Sequence, residues 1–106
     1  MNSSAVLNIK TLAAKYGCRV MVCEVGVSGS ASDRSASTQS MTDFMKSAKS
    51  LSVCAGVFYW EPEVDGKWRP SIYEKPERNW GAYGAGAFTS DGSALSPTSI
   101  LTAFGD

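Results

Sequence analysis

The sequence predicts an α/β fold built on a parallel βαβ unit with flanking helices. Two compact apolar runs, Val20-Met21-Val22-Cys23 and Gly56-Val57-Phe58-Tyr59-Trp60, are typical of strands. The segments around them repeat apolar residues at spacings of three and four, which is typical of amphipathic helices. Strands that alternate with helices indicate a parallel sheet with a right-handed crossover, and we expect both strands to be buried on both faces.

Each element has its own local signal. Val6, Ile9 and Ala13 recur on one face of the first helix, and Gly17 can end it. Serine and glycine dominate 28–37, which predicts a loop after the first strand. The predicted elements are a helix at 4–17, a strand at 19–26, a helix at 40–51, a strand at 54–61, an aromatic and glycine-rich loop at 62–95 and a short helix at 96–104.

The second helix and the long loop rest on the following residues. Ser40 and Asp43 can form a capping box at the start of the helix. Its apolar face is predicted to contain Met41, Phe44, Met45 and Ala48. Pro62 cannot donate to a strand ladder, so the second strand should stop there. Asp91-Gly92 is a turn signal within the loop.

Length and composition limit the size of the domain and the classes of partner that the chain can bind. With 106 residues and 43% hydrophobic content it suits one small domain, expected to be a piece of a longer protein. Ten basic and ten acidic residues cancel, and histidine is absent, so nucleic acid is not an expected partner. No apolar run approaches the roughly 20 residues that span a bilayer, so no membrane partner is expected. Cys18, Cys23 and Cys54 form neither a paired framework nor a ligand set and are predicted to be buried thiols.

Charged and aromatic side chains stand where the two strands end. Glu24 closes the first strand, and Trp60 and Glu61 close the second. The carboxyl ends of parallel strands share one rim, so these residues should be neighbours. Glu24 is either a functional carboxylate or a strand-end residue that meets water, Arg19 or Arg34. Trp60 either stacks against a sugar ring or only fills the space at the ends of the strands.

Both strand segments resemble one enzyme family. Val20-Met21-Val22-Cys23-Glu24-Val25-Gly26 and Gly56-Val57-Phe58-Tyr59-Trp60-Glu61-Pro62 are similar to the last two strand segments of the glycoside hydrolase family 53 endo-β-1,4-galactanases. The resemblance implies that the chain is the C-terminal quarter of a (β/α)8 barrel. It also implies hydrolysis of β-1,4-galactan with retention, through a nucleophile and an acid/base carboxylate.

The resemblance assigns roles to individual residues. Glu24 is the implied nucleophile, although members usually carry threonine where this chain has Val25. Trp60 would line the subsite next to the cleaved bond, and Glu61 would bind substrate rather than transfer protons. Tyr59 and Trp68 are the remaining substrate-binding candidates, and Trp68 is otherwise a packing anchor.

Strands one to six and the acid/base glutamate have no counterpart in these residues, so the isolated chain is expected to be inactive. The implied partners are galactan or arabinogalactan oligosaccharides, a second copy of the chain, or the missing N-terminal barrel segment.

No cofactor is expected, and no metal is assigned because 28–37 offers only Asp33 as a carboxylate. The resemblance implies a secreted, periplasmic or cell-surface enzyme. The alternative is a non-catalytic carbohydrate-binding or self-associating module.

Overall fold

A computed structural model describes residues 2–67, 71 and 83–105. None of the helices in these ranges is long and apolar enough to cross a bilayer. The elements are α1 (Asn2–Tyr16), β1 (Val20–Val25), α2 (Arg34–Lys49), β2 (Cys54–Tyr59), β3 (Phe88–Ser90), β4 (Leu95–Pro97) and a terminal 3₁₀ helix (Ser99–Phe104).

The two central strands pair in parallel, as the sequence predicts. Val22 of β1 lies beside Val57 of β2, and Val25 lies beside Tyr59. α2 connects the two strands and covers one face of the sheet that they form. The chain is therefore an α/β protein with a small two-stranded parallel sheet. Its membership of an eight-stranded barrel stays a prediction.

α2 supplies most of the core. Met41, Phe44, Met45 and Ala48 are buried on one face of this helix, which confirms the predicted apolar face. The 3₁₀ helix adds the fully buried Ile100. Val22, Val57 and Tyr59 of the sheet pack against this cluster. The core thus lies between α2, the 3₁₀ helix and one face of the sheet.

α2 begins at Arg34, six residues before the predicted start at position 40. The expected loop and the expected capping box are therefore wrong in part, since Ser40 and Asp43 lie inside the helix. Polar side chains of the first turns bind the preceding loop instead of water. Ser37 is buried, and its hydroxyl donates to the carbonyl of Ser28 at 2.7 Å. Contacts of this kind override the weak helix propensity of serine.

The predicted loop at 62–95 contains β3, and β4 spans the end of this loop and the start of the helix predicted at 96–104. The terminal helix therefore begins only at Ser99. β3 and β4 pair antiparallel around a turn held by one carboxylate. Asp91 Oδ1 accepts hydrogen bonds from the backbone N–H groups of Ser93 and Ala94, both at 2.9 Å. These bonds hold the pKa of Asp91 below its usual value, and the bond from the Ser93 N–H contributes most. Strands of three residues, with β4 exposed throughout, leave too little alternation for a sequence signal.

One face of the parallel sheet meets solvent, which corrects the expectation that both strands are buried on both faces. Met21 and Phe58 are 45% and 58% exposed. Gly56 shares their face, because a Cβ built on it would stand 3.1 Å from the Met21 sulfur. We call this surface the open face and define it as Met21, Cys23, Gly56 and Phe58. Helices cover only the opposite face, so the strands are half-buried.

The cysteines are not the buried thiols that the sequence predicts. Cys18 and Cys23 are exposed, and Cys54 is only half-buried. The expectation assumed strands covered on both sides, whereas Cys23 lies on the open face and Cys18 lies before β1. Apolar neighbours in the chain therefore gave a wrong prediction of burial.

Two methionines test which face carries the stability. We expect Met41→Ala to lower the free energy of unfolding by about 2–5 kcal/mol, because the side chain is fully buried and would leave a cavity. Met21→Ala is the matched control and should cost under about 1 kcal/mol, since almost half of that side chain already meets water. Urea denaturation followed by circular dichroism measures both values. Equal losses would mean that the open face is covered in solution.

Candidate functional site

The carboxyl ends of β1 and β2 form one rim. The backbone N–H of Trp60 donates to the carbonyl of Val25 at 2.9 Å, so the parallel register continues to the last residues of both strands. This pairing brings Glu24 to the same edge as Trp60 and Glu61, as the sequence predicts. Adjacent strands are about 4.8 Å apart, so side chains at this edge can reach a common ligand.

A β-bulge sets the direction of Glu24. Val22 pairs with Val57 and Val25 pairs with Tyr59, so β1 uses one more residue than β2 over this interval. Cys23 and Glu24 in the bulge are both exposed. Bulges bend a strand and re-aim side chains. The carboxylate of Glu24 is therefore accessible at the rim rather than desolvated in the strand.

Glu61 lies at the sharp turn that follows β2. Its φ of 45° is the only positive value among the described residues other than glycine. Such a conformation costs of order 1–3 kcal/mol and persists only where surrounding contacts impose it. Glu61 lines a cleft of about 500 Å³ together with Glu63, Val64, Asp65 and Leu95. Trp60 beside it is 45% exposed, so part of its indole is accessible to a ligand.

Tyr59 faces the core and not the rim. Its ring meets the ring of Phe104 edge to face, with centroids 6.0 Å apart. Its hydroxyl donates to the carbonyl of Ala85 at 2.5 Å and accepts from the N–H of Val27 at 3.3 Å. Burial raises the pKa of this phenol. Tyr59 joins two loops beneath the rim, and its position gives no support to the predicted substrate-binding role.

Trp68, the remaining predicted substrate-binding residue, lies outside the described residues.

Tyr83 joins the rim without any signal in the sequence. Its hydroxyl lies against the backbone of Gly26, and a Cβ built on Gly26 would stand 2.5 Å from that oxygen. Burial raises the pKa of the Tyr83 phenol most, and the charges of Tyr59, Glu61 and Glu24 raise it further. Tyr83 stands in a glycine-rich stretch with no periodic pattern, so sequence reasoning had only an isolated aromatic residue to go on.

Glycines let three loops close over the rim. The N–H of Gly29, after β1, donates to the carbonyl of Gly84 at 2.9 Å. A Cβ built on Gly86 would overlap the carbonyl group of Val64, in the turn after β2. Backbone therefore packs on backbone where these loops meet, and no larger residue fits at Gly86 without movement.

Three acidic side chains line the cleft beside the rim. Glu61, Glu63 and Asp65 line one cleft, yet within the ranges that the structure describes no three His, Cys, Asp or Glu side chains are grouped to hold a metal ion. The rim therefore offers carboxylates, an indole and a phenol as its reactive and binding groups.

No family model matches the chain, and neither a curated protein nor a solved structure is significantly similar to it. The resemblance to family 53 therefore rests on the two strand segments of the sequence and stays a prediction.

Two glycines test the loop closure. We expect Gly86→Ala to lower the free energy of unfolding by about 1–3 kcal/mol, because overpacking forces the Val64 backbone to shift. Gly84→Ala is the matched control two residues away, where a Cβ would meet nothing within 4 Å. It should be neutral or slightly stabilising. Urea denaturation compares the two variants, and equal effects would contradict the described contact with Val64.

A phenylalanine substitution tests the role of Tyr59 beneath the rim. Tyr59→Phe should cost about 1–2 kcal/mol of unfolding free energy, because the Ala85 carbonyl and the Val27 N–H lose their partner while the ring contact with Phe104 remains. The exposed Tyr16 provides the control Tyr16→Phe, which should change stability by under about 0.5 kcal/mol. Thermal and urea unfolding measure both variants. A neutral Tyr59→Phe variant would show that the two loops do not depend on this hydroxyl.

Proposed function

We propose that this chain is the C-terminal part of a retaining glycoside hydrolase that cleaves β-1,4-galactan. In this proposal Glu24 is the nucleophile, Trp60 is the platform for the sugar next to the cleaved bond, and Glu61 binds substrate. The acid/base glutamate belongs to a part of the barrel that has no counterpart in these residues. The isolated chain is therefore inactive on galactan.

The observation that carries the proposal is the shared rim. Parallel pairing of Val25 with Tyr59 sets an accessible carboxylate on one strand beside a half-exposed indole on the next. A nucleophilic carboxylate must reach the anomeric carbon of a sugar that lies against a neighbouring surface. The faces of pyranose rings carry C–H groups, which pack on an aromatic ring, and the indole N–H adds one donor for a sugar hydroxyl.

The open face is consistent with a larger parent protein. Met21 and Phe58 expose apolar side chains on a sheet whose two outer edges are unpaired among the described residues. Sheets with unpaired edges and bare apolar faces tend to associate with further strands. In an eight-stranded parallel barrel the neighbouring strands would occupy these edges, and the open face would line the barrel interior.

The same face favours a second candidate function, a non-catalytic carbohydrate-binding or self-associating module. Met21 and Phe58 on this face, with Trp60 just after β2, present exposed apolar side chains that a second copy of the chain could cover. In that case Trp60 is a binding residue or an interface residue, and Glu24 is only a polar residue at its border.

An activated sugar separates the two functions. A 2-deoxy-2-fluoro-β-galactobioside with a dinitrophenolate leaving group requires no acid catalyst, because the leaving group departs as a stable anion with the bonding electron pair. We expect an oxygen of Glu24 to bond to the anomeric carbon, giving a glycosyl adduct that mass spectrometry locates in the β1 peptide. Glu24→Gln should abolish the adduct, and Trp60→Ala should slow its formation about tenfold or more.

Glu63→Gln is the matched control, because Glu63 is an exposed glutamate of the neighbouring cleft and should not affect labelling. Calorimetric binding of galactotetraose that Trp60→Ala removes, without any adduct, would establish the module instead. Sedimentation of a dimer that Phe58→Asp dissociates, with neither binding nor adduct, would establish self-association. Hydrolysis of galactan by the isolated chain, lost in Glu24→Gln, would contradict the incomplete site.

A further inference from the structure

A second cleft adjoins the one that Glu61 lines. Both clefts have Val64 and Asp65 in their walls, so they meet along the turn that follows β2. The second cleft has a volume of about 320 Å³, at the lower end of the range of about 300–1,000 Å³ typical of small-molecule sites. It therefore has room for a ligand of the size of a sugar ring. We call it the loop cleft.

Three loops form the walls of the loop cleft, and contacts within the chain hold each of them. Ser30, in the loop after β1, donates its hydroxyl hydrogen to Asp33 Oδ2 at 2.8 Å. In the turn after β2, Asp65 Oδ1 accepts from the backbone N–H of Lys67 at 2.9 Å. Gly86, in the loop before β3, is buried against the backbone of that turn. The loop cleft is thus formed before any ligand binds, as small-molecule sites usually are.

The loop cleft places opposite charges beside an aromatic side chain. Lys67 is exposed and carries three N–H donors, whereas the carboxylate of Asp65 accepts hydrogen bonds. Phe88 lines the same cleft and is half-buried. A sugar ring has hydroxyls that both donate and accept, and its C–H faces pack on aromatic rings. These groups are complementary to a single sugar unit.

Charge in the adjoining cleft favours a neutral sugar over an acidic one. Glu61, Glu63 and Asp65 line that cleft, and no cationic residue is among its described lining residues. Like charges brought together at a binding surface disfavour the complex. An acidic glycan that extended through both clefts would meet three carboxylates and only one cation, Lys67. A neutral glycan meets no such repulsion.

We propose that the loop cleft is a second binding site for the glycan, where Lys67 and Asp65 bind the hydroxyls of a neutral sugar ring and Phe88 packs on its face. This inference rests on the carbohydrate ligand of the proposed function. It adds a site that contains neither the implied nucleophile nor any residue to which the resemblance gives a role in substrate binding.

Fluorine NMR of the full chain carrying 4-fluorophenylalanine locates the ligand. Phe88→Leu identifies the Phe88 signal among the four phenylalanines by its loss. We expect galactotetraose, which the isolated chain should leave intact, to move this signal in a saturable way. A tetramer of galacturonic acid should bind at least about tenfold more weakly, because of the repulsion by the three carboxylates. An unmoved Phe88 signal would overturn the site, and tighter binding of the acidic tetramer would overturn the neutral ligand.

Calorimetry of two lysine variants tests the contact with the hydroxyls. Lys67→Met should weaken galactotetraose binding about tenfold, the effect of losing one hydrogen bond to a charged group. Lys10→Met is the matched control, because Lys10 is an exposed lysine of α1 and should have no effect. Equal affinities of the two variants would contradict the assigned role of Lys67.

The glycosyl adduct on Glu24 reports on the proposed function separately. If the adduct forms but galactotetraose leaves the Phe88 signal unmoved, the loop cleft fails alone. If the signal moves and no adduct forms, the sugar site remains as part of a carbohydrate-binding module and the catalytic function fails. If neither occurs, both proposals are wrong.

Discussion

The parallel pairing of β1 with β2 is the interaction on which the rest of the structure depends. It fixes which ends of the strands meet, and so it places Glu24 beside Trp60 and Glu61. It also fixes which side chains face α2, because residues paired side by side in a parallel sheet point to the same face. One register therefore sets both the core and the rim. The pair of Val22 and Val57 packs in the core, and the pair of Val25 and Tyr59 aligns the strand ends that form the rim.

Loop closure over the rim depends on backbone contact rather than on apolar burial. Gly29 and Gly86 allow the chain to approach itself where side chains would collide, and the hydroxyl of Tyr59 joins the loops from below. Such contacts hold a loop in one conformation with few buried groups. They also explain how Glu61 keeps a left-handed backbone, because the Pro62 carbonyl after it accepts from the Ala87 N–H at 2.6 Å.

The sequence predicted correctly those features that depend on a local pattern of residues. The apolar spacing of α2 and the two strand runs located the core and the parallel sheet, and the parallel order located the rim. It failed where distant contacts decide: α2 extends back to Arg34 because Ser37 is bonded to Ser28, and the open face is bare because only one layer of helices is present. Tyr83 was missed for the same reason, since its neighbours are remote in sequence.

Because of the bulge between Val22 and Val25, substitutions and deletions affect the rim differently. A substitution at Glu24 alters the chemical group presented at the rim, but the backbone still aims that position outward. Deleting one residue of the bulge would leave Val25 two positions after Val22, so both residues would still face the core and keep Val57 and Tyr59 as partners. The edge would then present one outward side chain in place of the adjacent pair Cys23 and Glu24. Point mutations can therefore change which groups this edge presents, whereas a change in chain length alters how many it presents.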